Sequence, residues 1–436
     1  MCRLVLGWML HIQHPAQGLI VQYGSSPSVN QRRQKMIAIF IAPFYIALNI
    51  YLFWRIKGWI QAYFPKLKGR KGWIVPIVLY AFLASALVIA FFLPQGRLRR
   101  GMKLVGNYWL GVLLYMIFFI VIAELGRFLL LHVFRVSKDK ICVPRVRRIV
   151  GCVCATLIMC ISFWGVINAR LVRVTPYDVT INKEAQDENG QKMDSMKIVL
   201  VADLHLGYNI GVRQVQRIVN SINKQDADLV LIAGDIFDNE WEAVDQPEEL
   251  EKILRGIKSK YGVYACYGNH DIQEQILAGF TFGGQKEKTS SPEMDEFMEK
   301  AGITLLRDEG VLINDSIYIY GRRDAHRPGN GVTDRASADE ITKNLDKSKP
   351  IIVLDHEPKE LEELSSAGVD MDLCGHTHDG QMFPGNILVA MMWENSCGYL
   401  NVDGMHNIVT SGVGVFGPDM RVGTKAEICP ITVNFK

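Results

Sequence analysis

"KIVLVADLH" (residues 197–205) and "DLVLIAGD" (residues 228–235) decide the fold of the C-terminal half of the chain. Each stretch starts with a continuous apolar run and ends in polar residues, as does a strand that is buried on both faces of a parallel sheet. Between them, apolar residues recur at helical spacing from Val212 to Ile222. A strand, a helix and a second strand in this order predict a parallel βαβ unit.

Three later stretches repeat the theme of a short apolar strand with a polar end: "YGVYACYGNHD" (261–271), "KPIIVLDHEP" (349–358) and "VDMDLCGHTH" (369–378). Ligand sites in parallel sheets form beyond the carboxyl ends of the strands. We therefore expect the polar residues that follow these strands to converge on one crevice. They are Asp203, His205, Asp235, Asp238, Asn269, His270, Asp271, His356, His376 and His378.

These side chains predict a site for a pair of divalent cations. Imidazole together with carboxylate and amide oxygen suits Mn²⁺, Fe²⁺ or Zn²⁺ better than Ca²⁺, and the lack of cysteine in the set argues against a structural zinc site. A bridging carboxylate can hold two cations about 3.5–4 Å apart, the spacing used to displace phosphate esters, and a water between them becomes a nucleophile near neutral pH. Hydrolysis of a phosphoester or pyrophosphate bond is the predicted reaction.

The polar blocks resemble those of a known family. In order they are Asp203-Leu-His205, Gly234-Asp235-Ile-Phe-Asp238, Gly268-Asn269-His270-Asp271, His356 and Gly375-His376-Thr-His378. They are similar to the DxH, GDxxD, GNH(D/E), H and GHxH blocks of the calcineurin-like metallophosphoesterases, over roughly residues 196–436. "GHTHDGQ" (375–381) further resembles the membrane-anchored branch of that superfamily, the transmembrane proteins with metallophosphoesterase domain and their bacterial relatives.

The resemblance implies a fold and a set of metal ligands. The fold is an α/β domain with a two-layered β-sandwich flanked by helices. The implied ligands of one metal ion are Asp203, His205 and His378. Those of the other ion are Asn269, His356 and His376, and Asp235 is implied to bridge the two.

Further residues are expected beside the metals. His270 would polarise the phosphoryl oxygen or protonate the leaving group. Asp271 would either orient His270 or cap the helix that follows. Asp238 and Asp355 could likewise act in catalysis or only in structure. Three arginines of "GRRDAHRPGNG" (321–331) are candidate phosphate contacts or ordinary surface charge: Arg322, Arg323 and Arg327.

The first half of the chain predicts a membrane region. Its four apolar runs are Met36–Trp54, Trp73–Leu93, Tyr108–Ala123 (or, in a longer alternative, Tyr108–Phe134) and Ile149–Asn168. Each approaches the roughly 20 residues that cross a hydrocarbon core of about 30 Å. Glu124 and Arg127 either mark the end of the third span or neutralise each other inside a longer helix.

This pattern divides the chain into four parts. We predict an N-terminal extension over residues 1–35, a bundle of about four transmembrane helices over 36–170, a polar linker over 171–195 and the α/β domain over 196–436. The formal net charge of +3 is too small to indicate a nucleic-acid partner. Membrane lipids are the expected surroundings of the first half.

Lysine and arginine counts predict the orientation, because positive residues are retained in the cytoplasm. The first and third loops together hold thirteen such residues, whereas the segment before the first span and the second loop hold eight. The second loop contributes Arg97, Arg99, Arg100 and Lys103. The imbalance predicts that the catalytic domain is extracytoplasmic. With several spans, the expected protein is an integral, multi-pass protein of the plasma membrane.

Two functions from different classes follow. The first is a membrane-anchored phosphoesterase with two metal ions, acting on a phosphoester substrate that could be lipid-linked, since tethering raises the concentration of lipid headgroups around the site. UDP-diacylglucosamine is one candidate by family resemblance, but a cytoplasmic nucleotide-lipid conflicts with an extracytoplasmic domain. The alternative is a membrane sensor or transporter whose phosphoesterase-like domain binds metal without catalysis.

Overall fold

The computed structural model describes residues 27–65, 69–187, 189–273, 276–277, 280–281 and 289–436. Residues 1–26 of the predicted N-terminal extension lie outside this part of the chain. Long helices come first and an α/β domain follows. The long helices are α1 (Pro27–Tyr63), α2 (Ile74–Phe92), α3 (Arg97–Phe128) and α4 (Pro144–Asn168).

Within the described residues, three helical segments are long and apolar enough to cross a membrane: Lys71–Phe92, Arg97–Val133 and Pro144–Asn168. Large apolar side chains such as Phe82, Phe92 and Phe163 are exposed on them. Lipid-facing helices are expected to expose such groups, because acyl chains are as apolar as the side chains themselves. The remaining predicted span, Met36–Trp54, lies inside α1, and its crossing of a membrane stays a prediction.

The third apolar segment follows the longer of its two predicted alternatives at the C-terminal end and begins earlier than Tyr108. The helix begins at Arg97 and continues beyond Phe128 through a π-helical turn to Val133. Glu124 therefore lies inside it and does not end it. Its carboxylate pairs with Arg127 one turn later, at 2.6 Å, and also with Arg55 of α1. Of the two alternatives for Glu124 and Arg127, the structure has the ion pair within a longer helix.

The α/β domain consists of two facing mixed sheets and a short hairpin. The first sheet has the order β1-β15-β3-β4-β5-β8, with β2 also paired to β15, and the second has the order β13-β14-β12-β11-β10-β9. The strands are β1 (Val172–Val174), β2 (Tyr177–Ile181), β3 (Ser195–Val201), β4 (Leu229–Ala233), β5 (Val263–Cys266), β6 (Ile276–Leu277), β7 (Phe280–Thr281), β8 (Thr304–Leu305), β9 (Glu309–Ile313), β10 (Ile317–Gly321), β11 (Ile351–Leu354), β12 (Met371–Cys374), β13 (Gly398–Val402), β14 (Met405–Val409) and β15 (Ala426–Phe435).

An apolar core fills the space between the sheets. Ile198 and Leu231 of the first sheet and Ile352 and Leu373 of the second are fully buried in it. Helices cover both outer faces, so the domain is a sandwich flanked by helices, as the resemblance implies. They are α5 (Val212–Asn223), α6 (Pro247–Leu254) and α7 (Pro292–Lys300) on the first sheet, and α8 (Ala338–Thr342) and α9 (Leu361–Ala367) on the second.

The segment predicted to be a linker, residues 171–195, is in part a piece of the domain. Strands β1 and β2 lie in it, and both pair in parallel with β15, the last strand of the chain. In β2 the apolar residues Val179 and Ile181 are buried while Asp178 is exposed. This is the period-2 pattern of a strand with one buried face, which the polar composition of the segment obscured.

The amino-terminal turns of α3 dock on the α/β domain. Arg99 Nη2 lies 2.7 Å from Glu240 Oε2, and Lys103 Nζ lies 3.6 Å from the other oxygen of that carboxylate. Asn107 Nδ2 donates to Asn209 Oδ1 at 2.9 Å. Three of the four basic residues counted as loop charges, Arg99, Arg100 and Lys103, thus contact the domain.

We expect Glu240→Ala to destabilise the full chain by about 3–5 kcal/mol, because removal of one partner from a buried ion pair leaves the other charge uncompensated. The Arg99 and Glu240 side chains are only 6% and 5% exposed. Thermal unfolding of the protein in detergent measures the effect. Glu299→Ala, at an exposed position of α7, is the control and should change stability by less than about 0.5 kcal/mol. An equally small effect of Glu240→Ala would contradict the docking.

Candidate metal centre

The candidate ligands lie on tight turns just beyond the strand ends. Asp203, His205, Asp235, His376 and His378 all have positive φ angles, between 48° and 72°. This left-handed conformation is costly for residues with a side chain, and it persists only where the surroundings determine it. The turns therefore hold these side chains in place before any ligand binds.

Two glycines allow the turns to approach one another closely. A Cβ atom on Gly234, whose φ is +75°, would lie 2.5 Å from the His356 ring. A Cβ atom on Gly268 would lie 2.3 Å from Asp235 Oδ1. Any larger residue at either position would push a candidate ligand out of place.

A first cluster consists of Asp203, His205 and His378, whose ligand atoms all lie within 4.8 Å of one another. The Nε2 atoms of the two imidazoles are 3.0 Å apart. His378 Nε2 is 3.7 Å from Asp203 Oδ1. These are the three residues implied to bind one metal ion, and the structure brings them together.

A second cluster consists of Asp235, His356 and His376. His356 Nε2 lies 3.2 Å from Asp235 Oδ2. Asn269 Oδ1 lies 3.0 Å from His376 Nδ1 and 3.1 Å from His356 Nε2, so the amide oxygen joins the same group. The structure thus also brings together the three residues implied to bind the other ion.

Asp235 lies between the two clusters. The same oxygen, Oδ2, that faces His356 is 3.7 Å from His205 Nε2 in the first cluster. The other oxygen, Oδ1, accepts a hydrogen bond from the backbone N–H of His270 at 2.8 Å. One carboxylate oxygen that faces both groups has the position that a bridging ligand needs.

The burial of the site favours neutral imidazoles. Burial lowers the pKa of His205 to about 3 and the pKa of His376 to about 4. The neutral ring is the form that binds a metal ion. Burial also raises the pKa of Asp203 to about 7, because desolvation outweighs the charges of His356 and Arg421. Nitrogen and oxygen donors that converge in a buried pocket fit divalent metal ions.

His356 and Asp235 interact strongly with each other. Burial alone would lower the pKa of His356, but the charge of Asp235 raises that pKa well above its usual value. Burial alone would raise the pKa of Asp235, but His356 holds that pKa well below its usual range. Asp235 is therefore the carboxylate of the site that stays ionised.

His270 lies beside the clusters, with its ring 5.2 Å from that of His205. Its Nδ1 donates to the side-chain carbonyl of Asn239, which leaves Nε2 as the nitrogen that can exchange a proton. Its ring also packs on Phe416, with centroids 4.5 Å apart. Asn239 and Phe416 are not predictable from the sequence, since an amide after an aspartate and a lone phenylalanine carry no signal of their own.

Asp271 does not play either role expected from the sequence. Its carboxylate accepts hydrogen bonds from the backbone N–H groups of Gly268, at 2.7 Å, and Phe237, at 2.8 Å. It ties the Asn269 turn to the loop after β4 instead of orienting the His270 ring. No helix follows it in residues 272–273 or in the next described residues, 276–277.

The remaining candidate aspartates and arginines either border the metal ligands or form buried ion pairs elsewhere in the domain. Asp238 Oδ1 is 3.8 Å from His205 Nδ1, so it borders the first cluster. Asp355 instead forms buried ion pairs with Arg322, at 2.9 Å, and with Arg335. Of the three arginines considered as phosphate contacts, Arg322 is thus a buried support, whereas Arg327 Nη1 donates to the backbone oxygen of Asn269 at 3.1 Å.

We expect Asn239→Ala to lower kcat by about 10–100-fold, the usual cost of removing a group that orients a residue of the site. The His270 ring would lose its acceptor and rotate, while the candidate metal ligands stay intact. Steady-state kinetics and metal analysis of the full chain check both points. Asn220→Ala, on the surface of α5, is the matched control. Loss of metal together with activity would show that Asn239 supports the ligands instead.

Two facing sheets with clustered nitrogen and oxygen ligands beyond their strand ends define a metallophosphoesterase, a metal-dependent hydrolase of phosphoester bonds. Residues 196–380 match the calcineurin-like phosphoesterase family, so the chain contains a calcineurin-like metallophosphoesterase domain. The family expected from the sequence blocks is therefore confirmed.

Similar proteins include membrane and bacterial members of the family. A transmembrane protein with metallophosphoesterase domain from Danio rerio is 26% identical over 85% of this chain and 82% of its own length. An uncharacterized metallophosphoesterase from Aquifex aeolicus is 28% identical over 62% of this chain and 95% of its own length. A Helicobacter pylori metallophosphoesterase is 31% identical over 54% of this chain, which spans 60% of that relative.

Proposed function

We propose that this protein is a membrane-anchored hydrolase that holds two divalent metal ions, Mn²⁺, Fe²⁺ or Zn²⁺, and cleaves a phosphoester or pyrophosphate bond. The observation that carries the proposal is the position of Asp235 Oδ2, 3.2 Å from His356 in one cluster and 3.7 Å from His205 in the other. The proposed ligands of one ion are Asp203, His205 and His378. Those of the other are Asn269, His356 and His376, with Asp235 as the bridge.

The bound ions supply an activated water and neutralise phosphoryl charge. Side chains of the protein supply proton transfer and further charge stabilisation. In its imidazolium form, with Nδ1 held by Asn239, His270 stabilises the phosphoryl oxygen or gives a proton to the leaving group from Nε2. Burial lowers the pKa of His270 to about 4, so the negative charge of the bound phosphoryl group has to favour this form. Asp271 holds the turn that carries Asn269 and His270, so we now assign it a structural task.

We further propose that the substrate is lipid-linked, such as a phospholipid or a lipid pyrophosphate of the UDP-diacylglucosamine kind. The docking of α3 on the α/β domain through Asn107 and Asn209 supports this, because it keeps the site close to the membrane region. The name of the Danio rerio relative, a transmembrane protein, supports the membrane anchoring on which this proposal depends.

We propose four membrane spans, a plasma-membrane location and an extracytoplasmic domain. The excess of lysine and arginine in the first and third loops supports this orientation. Arg99, Arg100 and Lys103, which counted against it, contact the domain. An extracytoplasmic domain favours a phospholipid or lipid pyrophosphate over a cytoplasmic nucleotide-lipid.

The test is hydrolysis of a chromogenic phosphodiester and a chromogenic phosphomonoester by the full chain in detergent, with Mn²⁺ or with chelator. The full chain is needed because β1 and β2 lie before residue 196. We expect turnover that requires metal and that His376→Ala abolishes. His406→Ala is the matched control, since His406 pairs with Met371 at the far end of β12 from His376.

Metal-independent turnover, or full activity of His376→Ala, would contradict the proposal. Metal binding at stoichiometric levels without turnover of either ester or of vesicle-borne phospholipid would instead favour a sensor with a non-catalytic domain.

A further inference from the structure

A short apolar helix follows the last candidate ligand block. Helix α10 (Gly385–Met392) comes directly after Phe383 and Pro384. The segment from Gln381 to Trp393 has no charged residue. Its exposed large side chains are Phe383 (36% exposed), Ile387 (51%), Leu388 (37%) and Met391 (79%). A cluster of exposed apolar side chains on a protein surface marks a site that binds a membrane, another protein or an apolar ligand.

Phe383, just before this helix, contacts helix α3 of the membrane bundle. The Tyr115 hydroxyl of α3 donates to the backbone oxygen of Phe383 at 3.2 Å. The rings of Phe118 and Phe383 lie edge to face with centroids 5.8 Å apart. Both α3 residues belong to a segment that is long and apolar enough to cross a membrane. The exposed apolar side chains therefore continue the surface of that segment.

The depth of the contact follows from the helix rise. Asn107 of α3 donates a hydrogen bond to Asn209 of the α/β domain, so it is one point at which the helix contacts the domain. Tyr115 lies eight residues further along α3, which corresponds to about 12 Å at about 1.5 Å per residue. Phe383 thus contacts α3 about 12 Å further along the helix than Asn209 does, in the apolar part of α3.

The same segment borders the candidate metal centre. The ring of Trp393, the residue after α10, lies 5.2 Å from the ring of His376. On the other side, Phe416 packs on His270, and Met420 of the same loop lies so close to α3 that a Cβ on Gly111 would be 2.6 Å from its Sδ. Two segments that rest on the bundle therefore carry the aromatic residues next to the site.

We propose that Phe383 and α10 insert their apolar side chains into the acyl-chain layer of the bilayer, and that an amphiphilic phosphoester reaches the metal centre along this helix with its tail still in the membrane. The bilayer is the occupant because Phe383 is continuous with a membrane-spanning helix. The substrate part of this inference rests on the proposed function.

The first experiment tests insertion and needs no activity. The full chain is reconstituted in phosphatidylcholine vesicles that contain a phosphatidylcholine with a photoreactive group at the end of an acyl chain. We expect cross-links in the peptide with residues 382–393, as in peptides of α2. Labelling of α2 without labelling of α10 would overturn the insertion.

The second experiment tests substrate access with two esters that share one reacting bond, hexadecyl p-nitrophenyl phosphate in vesicles and methyl p-nitrophenyl phosphate in solution. The variant Ile387→Ser, Leu388→Ser, Met391→Ser changes only exposed side chains. We expect kcat/KM on the hexadecyl ester to fall by at least about tenfold, since three apolar groups are lost, and activity on the methyl ester to stay unchanged. Val332→Ser, at an exposed apolar residue outside α10, should change neither.

Equal effects on both esters would overturn the role in access. Turnover of neither ester by the unmodified protein, together with cross-links in α10, would refute the proposed function and leave the insertion supported. A dimeric chain in detergent, together with no lipid adducts in α10, would overturn the insertion, because a second copy would then cover the helix.

Discussion

Asp235→Asn should leave the domain folded and lower the rate of turnover by at least about 100-fold. Removal of a group that merely orients a metal ligand already costs about 10–100-fold in activity, and Asp235 is itself a proposed ligand. The carboxylate is buried, its Oδ2 faces both ligand clusters, and His356 keeps it ionised. Asparagine has nearly the same shape but no charge, so it cannot offset two divalent cations. The measurements are steady-state hydrolysis and the number of metal ions per chain.

The matched control is Asp372→Asn, a second exchange of a buried carboxylate for an amide. Asp372 lies on β12 and accepts a hydrogen bond from Asn407 Nδ2 at 2.9 Å. Burial raises its pKa to about 7, so the loss of its charge should matter little. Full activity and two metal ions in Asp235→Asn would show that the bridging assignment is wrong.

His270→Gln should lower kcat by about 10²–10⁴-fold, the usual contribution of a general acid or base, while both metal ions stay bound. Its ring is not among the proposed ligands, and it contacts Asn239 and Phe416 as well as the ring of His205. Esters with different leaving groups separate its two possible roles. If His270 protonates the leaving group, the loss is larger for phenol than for p-nitrophenol, because the more basic oxygen needs the proton more.

A loss of equal size for both leaving groups would instead assign His270 to the phosphoryl oxygen. Asp271→Asn is the contrasting variant, since Asp271 binds only the backbone N–H groups of Gly268 and Phe237 in this region. It should lower the thermal stability of the chain without any dependence on the leaving group. Metal loss in His270→Gln would contradict a role outside the ligand shell.

Much of the site could be predicted because its signals are local. In each block the first candidate ligand lies two or three residues after the end of an apolar strand, as in Gly234-Asp235 and Gly375-His376. The parallel sheet then brings the strand ends together without further information. The grouping of His356 with Asn269 was implied by the family resemblance, and their atoms lie 3.1 Å apart.

Contacts between distant segments were not predicted. Strand β2 is found only through its pairing with β15, about 250 residues later in the chain, and no local pattern encodes such a partner. Asn239 reaches His270 across two turns, and Arg322 looks like a surface charge until Asp355 buries it. For the same reason the polar segment before β3 was expected to be a linker.

Composition and periodicity predicted the apolar helices, the βαβ unit and the polar strand ends, because these patterns extend over only a few residues, and the resemblance of the motif blocks supplied the family and the implied metal ligands. Only the tertiary structure decided that α3 docks on the domain through Arg99 and Glu240, and that the exposed helix α10 lies between the bundle and His376. These arrangements depend on burial of charge and apolar surface between segments far apart in the chain, which no local pattern records.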